Sequence, residues 1–196
     1  EQLDQDLQDA KESLDKGNEK KGSKSQQGAS DKMQEMADDV SSMQSQAQQQ
    51  KQEEDMQALR YLLENIVALS HEQEALMDEY EVTQTTDPYY LELNRQQLDI
   101  DKSTEIVRDS LRALAKRVHQ ISKFITDELA ELDYNLGRTL VYSEERSTNK
   151  LQMYQQYAMT DYNDLALMLS EVLDQMQQQA QQSSSQPGSG SCNKPG

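Results

Sequence analysis

His71 and His119 are the side chains best suited to acid–base or metal work near neutral pH, and the residues around them decide what they can do. His71-Glu72-Gln73-Glu74-Ala75 opens like a zinc-protease helix, in which two histidines four apart hold the ion and the intervening glutamate activates water. Position 75 is alanine, so one ligand is missing. A di-iron bundle needs Glu-x-x-His on each of two helices, and the residues three before His71 and His119 are Ala68 and Lys116. Isolated glycines form no phosphate-cradling loop. Tyr89, Tyr90, Tyr134, Tyr142, Tyr154, Tyr157 and Tyr162 offer stacking surfaces, but without a basic groove such rings are expected to pack seams and rims. No residue is therefore assigned as catalytic, cofactor-binding or metal-ligating. No cofactor is expected, and the chain is expected not to be an enzyme.

The elements that would position any site are helices. Nearly everything from Asp31 to Gln182 has apolar residues at three-to-four spacing, with Pro88 the one proline inside. Hydrophobic residues make up 34%, below the usual share of about 45–50%, and there is one Phe and no Trp. Long helices with narrow apolar seams tolerate that shortage, whereas a sheet-centred enzyme does not. A net charge of −17 repels nucleic acid phosphates and anionic lipid heads, so neither partner is expected and direct membrane contact is not. Residues 51–86 carry nine acidic and two basic side chains. That run is a solvated face or, on a sharper reading, a docking surface for a basic partner.

Leu3, Leu7, Ala10 and Leu14 share one helical face, after which Lys20 to Gly28 has no apolar residue. Residues 1–29 are thus expected to be the end of an upstream helix and a flexible linker. A first helix over about 31–81 starts at Ser30-Asp31, whose side chains can cap it. Its seam is Met33, Met36, Val40, Met43 and Ala47, then Leu59, Leu62, Ile66, Leu69, Leu76 and Tyr80, with Gln73 in register. Asp87-Pro88, a cap followed by proline at the first helical position, begins a second helix over about 88–136. It carries Leu91, Leu98, Val107, Leu111, Leu114, Val118, Ile121, Ile125, Leu129, Leu132 and Leu136. A third, over about 139–182, bears Leu151, Tyr154, Ala158, Leu165, Leu169, Val172 and Met176. Residues 183–196 read as a Ser/Pro/Gly-rich disordered tail whose single Cys192 forms no intrachain disulfide.

Asn135-Leu136-Gly137 suits a helix end, since Asn and Gly tolerate the left-handed conformation, but the apolar rhythm continues through Leu140 towards Ser147-Thr148-Asn149. A turn near 138 lays residues 151–176 beside 100–125 and 45–70, where all three apolar stretches meet. The expected fold is an all-α, elongated antiparallel three-helix bundle or coiled coil with flexible ends, its Met- and Gln-rich stretch at Met33 to Gln52 loosely packed.

Met56-Gln57-Ala58-Leu59-Arg60-Tyr61-Leu62-Leu63-Glu64-Asn65-Ile66-Val67-Ala68-Leu69-Ser70, Asn163 to Val172 and the closing Cys192-Asn193-Lys194-Pro195-Gly196 resemble a family of large Gram-negative bacterial proteins known only as a domain of unknown function. The resemblance covers about residues 30–196 and carries no assigned chemistry. It implies membrane-anchored parents with N-terminal spans, long helical extracytoplasmic regions and a periplasmic or envelope setting. No signal peptide, initiator Met or run of about 18 apolar residues is present, and the chain reads as a piece of something longer. The expected function is a non-enzymatic helical scaffold or protein–protein interaction module that binds another protein through a coiled-coil face or self-associates. The alternative is a holdase-like or substrate-handling chaperone, suggested by the adaptable methionines of Met33 to Gln52 and the acidic surface.

Overall fold

The computed structural model describes residues 4, 5, 8, 11, 12, 15, 16, 19–122 and 124–184. Leu3, Leu7, Ala10 and Leu14 of the expected upstream helix, and Cys192 with nearly all of the expected tail, lie outside them. The long helices are α1 (Glu19–Val82), α2 (Tyr90–Ala115), α4 (Ile125–Glu144) and α5 (Thr148–Ser184), with a single turn, α3 (His119–Ser122), between α2 and α4. The expected all-α class is what the structure shows, with no strand among the described residues. No helix among those residues is long and apolar enough to cross a membrane.

Contacts divide the chain into two units, Glu1–Lys51 and Gln52–Gly196, rather than at residue 29. In the first, α1 already begins at Glu19, so Lys20 to Gly28 is helix and not the expected linker. The stretch lacks proline, and each of its glycines costs a helix only about 1 kcal/mol. Lack of apolar residues removes a reason to pack, not the ability to be helical. Gly22 and Ala29 are buried, while every residue from 33 to 51 is exposed.

In the second unit, residues 52–82 of α1 and the helices α2, α4 and α5 surround one core. Leu59, Ile66, Leu93, Leu111, Leu114, Leu129, Leu132, Leu136 and Leu169 are all but inaccessible. The register follows from paired side chains. Gln73 of α1 is level with Gln97 of α2, Ser70 bonds Asn163 of α5 (3.1 Å), and Gln52 Nε2 donates to the Met176 carbonyl (3.4 Å). Gln97 meets Gln155 (3.0 Å) and Thr104 meets Tyr162, so α2 and α5 run in the same direction. Residues 151–176 therefore do not lie antiparallel to 100–125 as expected, because the helix expected over 88–136 folds back on itself.

That fold-back is a correction to the expected helix boundaries. α2 ends at Ala115, and residues 116–124 reverse the chain into α4, which packs on α2 and more extensively on α5. No Gly or Pro marks the reversal. It is anchored by Val118, Ile121 and Ile125, all buried, and by Arg117, whose Nε donates to the buried Asp55 carboxylate of α1 (3.0 Å). The next turn falls at Glu145 to Ser147, not at Gly137, which lies inside α4. The Ser147 amide donates to the Tyr142 carbonyl (3.0 Å) and the Arg146 amide to that of Ser143 (3.2 Å). With Arg146 at φ 51°, this is a Schellman motif in which arginine holds the left-handed position that usually goes to glycine. Arg146 is also held there by a bond to the Thr85 carbonyl and by the face of Tyr90, 5.4 Å away.

The boundary at Asp87-Pro88 is where the cap signal puts it. Asp87 Oδ1 accepts the Tyr89 amide (2.8 Å), although regular α2 begins two residues later, at Tyr90. Gly137, by contrast, has no structural need to be glycine: a Cβ added there meets nothing within 4 Å. Gly137→Ala should stabilise the second unit by about 0.5–1 kcal/mol, read as a raised urea midpoint at unchanged slope. A destabilised variant would mean that the α4 backbone bends there.

Candidate interaction surface

The residues tested for chemistry are distributed rather than gathered. His71 lies on α1 with its Nδ1 3.6 Å from Glu74, both side chains mostly exposed. His119 opens α3 and meets Ser122. Among the described residues, no group of three or more His, Cys, Asp or Glu side chains is arranged to hold a metal ion.

The tyrosines split. Tyr90, Tyr142 and Tyr162 are buried, Tyr154 is half-buried, and Tyr89, Tyr134 and Tyr157 are exposed. Tyr162 bonds Thr104, which in turn donates to the Ile100 carbonyl (2.8 Å). Burial pushes the phenols of Tyr162 and Tyr80 well above the ordinary range, so both remain protonated hydrogen-bonding groups. On the α4–α5 face, Tyr154 stacks on Tyr142 (5.4 Å between centroids) and meets Tyr134 and Tyr157 edge-on. The Arg138 guanidinium lies 4.6 Å from the Tyr142 centroid, and the Lys150 ammonium lies 5.0 Å from it. This basic–aromatic cluster was not expected from the sequence. Its signal is local: Tyr134, Arg138 and Tyr142 recur every four residues, as do Lys150 and Tyr154.

A groove along α1 and α2 holds two depressions of about 270 and 330 Å³. Leu69 and Val107 floor the first, and Glu72, Glu79 and Asp99 edge the second. Tyr61 and Ile106 stand exposed at its apolar end. The groove is open to solvent, and Glu72 and Ser103 line both depressions.

Acidic groups crowd α4 and α5. Burial, then Glu131, Asp164, Asp161 and Asp127, raise the Glu128 carboxyl above its usual range. Burial also raises Asp161, against the opposing bond from Asn135 (2.6 Å), and raises Asp101, helped by Asp133 and Glu105. A carboxyl raised in the folded state favours the fold when protonated. Its contribution is complete below the unfolded-state value and is lost as pH rises through the folded-state value. The melting temperature should therefore rise as pH is lowered from neutral towards the unfolded-state carboxyl value of about 4 at fixed ionic strength, by about 2–4 °C per kcal/mol recovered, and Glu128→Gln should flatten that slope. A melting temperature that falls over this interval would contradict the assignment.

The remaining feature is the seam of the first unit. Met33, Met36, Val40 and Met43 have fractional exposures of 51, 57, 62 and 68%. They follow Gly22 and Ala29, which are buried, in the same seven-residue register. A helix normally hides such a stripe, and this one presents it to solvent. Comparison with family models, characterised proteins and solved structures finds no match to this chain.

Proposed function

We propose that the chain is a non-enzymatic helical scaffold whose work is protein–protein interaction through a coiled-coil face. The observation that carries this reading is the Met33-Met36-Val40-Met43 stripe, heptad-spaced and more than half exposed along a continuous helix. Exposed apolar residues at alternating spacings of three and four are what a partner helix needs for knobs-into-holes packing. The rest of the chain supports the reading by furnishing a helical bundle with an open groove along its surface. The resemblance of Met56 to Ser70 and Asn163 to Val172 to envelope proteins adds a setting: a periplasmic or envelope location and a membrane-anchored parent.

The test is site-specific photo-crosslinking in cells from positions 36 and 40, with position 45 on the opposite side of the helix as the control. Discrete protein adducts from 36 and 40 but not 45 are the expected result. Equal labelling at all three, or none from the folded protein, removes the seam as an interaction face. The exposed methionines favour a second reading, client handling, because thioether side chains adapt to varied apolar surfaces. Suppression of aggregation of an unfolded client that is lost in Met33→Ser/Met36→Ser/Met43→Ser would favour that reading over a dedicated partner.

A further inference from the structure

We infer that the occupant of the exposed α1 seam is a second copy of the same seam, paired parallel and in register over Met33 to Ala47. The inference rests on the interaction reading above and supplies the partner.

In heptad terms, Met33, Val40 and Ala47 hold the a positions, and Met36 and Met43 hold the d positions. Charge at the flanking positions selects the orientation. Side by side and in register, Lys32 faces Ala37 of the second copy, Asp39 faces Gln44, and Gln46 faces Lys51, so no like charges meet. The antiparallel register that covers all three methionines sets Asp39 against Asp39 instead. Valine at the central a position favours two strands over three.

The seam also has defined ends. On its N-terminal side the same register passes through Ala29, which is 1% exposed and already covered. On its C-terminal side the next a position is Glu54, which a parallel copy would set against its own equivalent. That leaves two heptads, about 21 Å of helix. Two heptads make a dimer that forms and dissociates with concentration, not an obligate one.

The full chain carrying Cys192→Ser provides the test. Met33→Cys and Met43→Cys are introduced separately and oxidised mildly with diamide, with Ser45→Cys as the outward-facing control. Parallel pairing predicts rapid disulfide-linked dimers at both 33 and 43. Antiparallel pairing separates each of these residues from its own equivalent by about 15 Å and gives neither. Sedimentation equilibrium of the otherwise unmodified chain should show the average mass rising with concentration towards two chains. Met36→Glu/Val40→Glu should weaken that association at least about tenfold by setting like charges in both central layers, at unchanged far-ultraviolet circular dichroism. Crosslinking at 33 and 43 no faster than at 45, or a mass of one chain at every concentration, overturns the inference. Heterotypic adducts from positions 36 and 40 would then leave the interaction reading standing, and their absence as well would remove both.

Discussion

Replacing Gln97 with leucine should lower the stability of the second unit by about 2–4 kcal/mol, whereas replacing Gln73, Gln97 and Gln155 together should restore it to the original value or above. All three side chains are 0% exposed. Gln97 is the hub: its amide donates to Gln73 Oε1 (2.7 Å), and its own Oε1 accepts from Gln73 (3.0 Å) and from Gln155 (3.0 Å). Removing the hub strands the Gln73 and Gln155 amides in an apolar interior, where each unpaired polar group costs about 1–3 kcal/mol and the added leucine surface offsets only part. Gln155 Oε1 already has no partner among the described residues, so the layer begins one acceptor short. Removing all three leaves no amide to satisfy and three apolar side chains of similar bulk. The distinguishing quantity is the non-additivity of urea-derived free energies across the single, double and triple variants. Three losses that simply sum would mean that the amides act independently and that the layer is not a unit. The layer has a structural use even if it is costly, because its bonds form only when positions 73, 97 and 155 are level. That condition fixes the sliding register of α1, α2 and α5.

The same layer explains where sequence reading succeeds and where it does not. From Leu59 to Tyr80 and from Val107 to Leu136, the apolar stripe identifies the buried face residue by residue, because nearly every core position there is apolar. At the start of α2 the buried series is Tyr90, Leu93, Gln97, Ile100 and Thr104, with polar side chains at two of its positions. An apolar-only reading selects Leu91 and Leu98 instead, and both are exposed. The reversal at 116–124 is hidden for a related reason: Val118, Ile121 and Ile125 keep helical spacing through the break, so periodicity does not register that the chain turns. Gly137 misleads in the opposite sense, since a residue that permits a turn does not impose one, and the Schellman bonds form instead around Arg146. Of the candidate surface, the stripe from Met33 to Met43 is fully legible as a seam. What the sequence does not reveal is that this seam stays open to solvent.

Tyr162→Ala should cost the second unit about 3–5 kcal/mol, and Tyr162→Phe only about 1 kcal/mol. The ring is wholly inaccessible on α5, and its hydroxyl meets Thr104 on α2. Truncation to alanine removes a large buried side chain, and the rest of the core cluster is anchored on separate long helices that can close the gap only by shifting whole elements. Phenylalanine keeps that volume and loses one hydrogen bond. Thr104 stays satisfied, because its hydroxyl still donates to the Ile100 carbonyl (2.8 Å). Against a total of about 5–15 kcal/mol for an ordinary domain, the alanine variant loses a large fraction of its margin and should melt well below the original chain, whereas the phenylalanine variant should stay within a few degrees. Chemical denaturation of both variants at equal slope checks the ratio. A phenylalanine cost approaching that of alanine would place the decisive contribution in the hydroxyl. The α2–α5 contact would then be held by polar complementarity, as at Gln97 and Gln155, with the packing of the ring secondary.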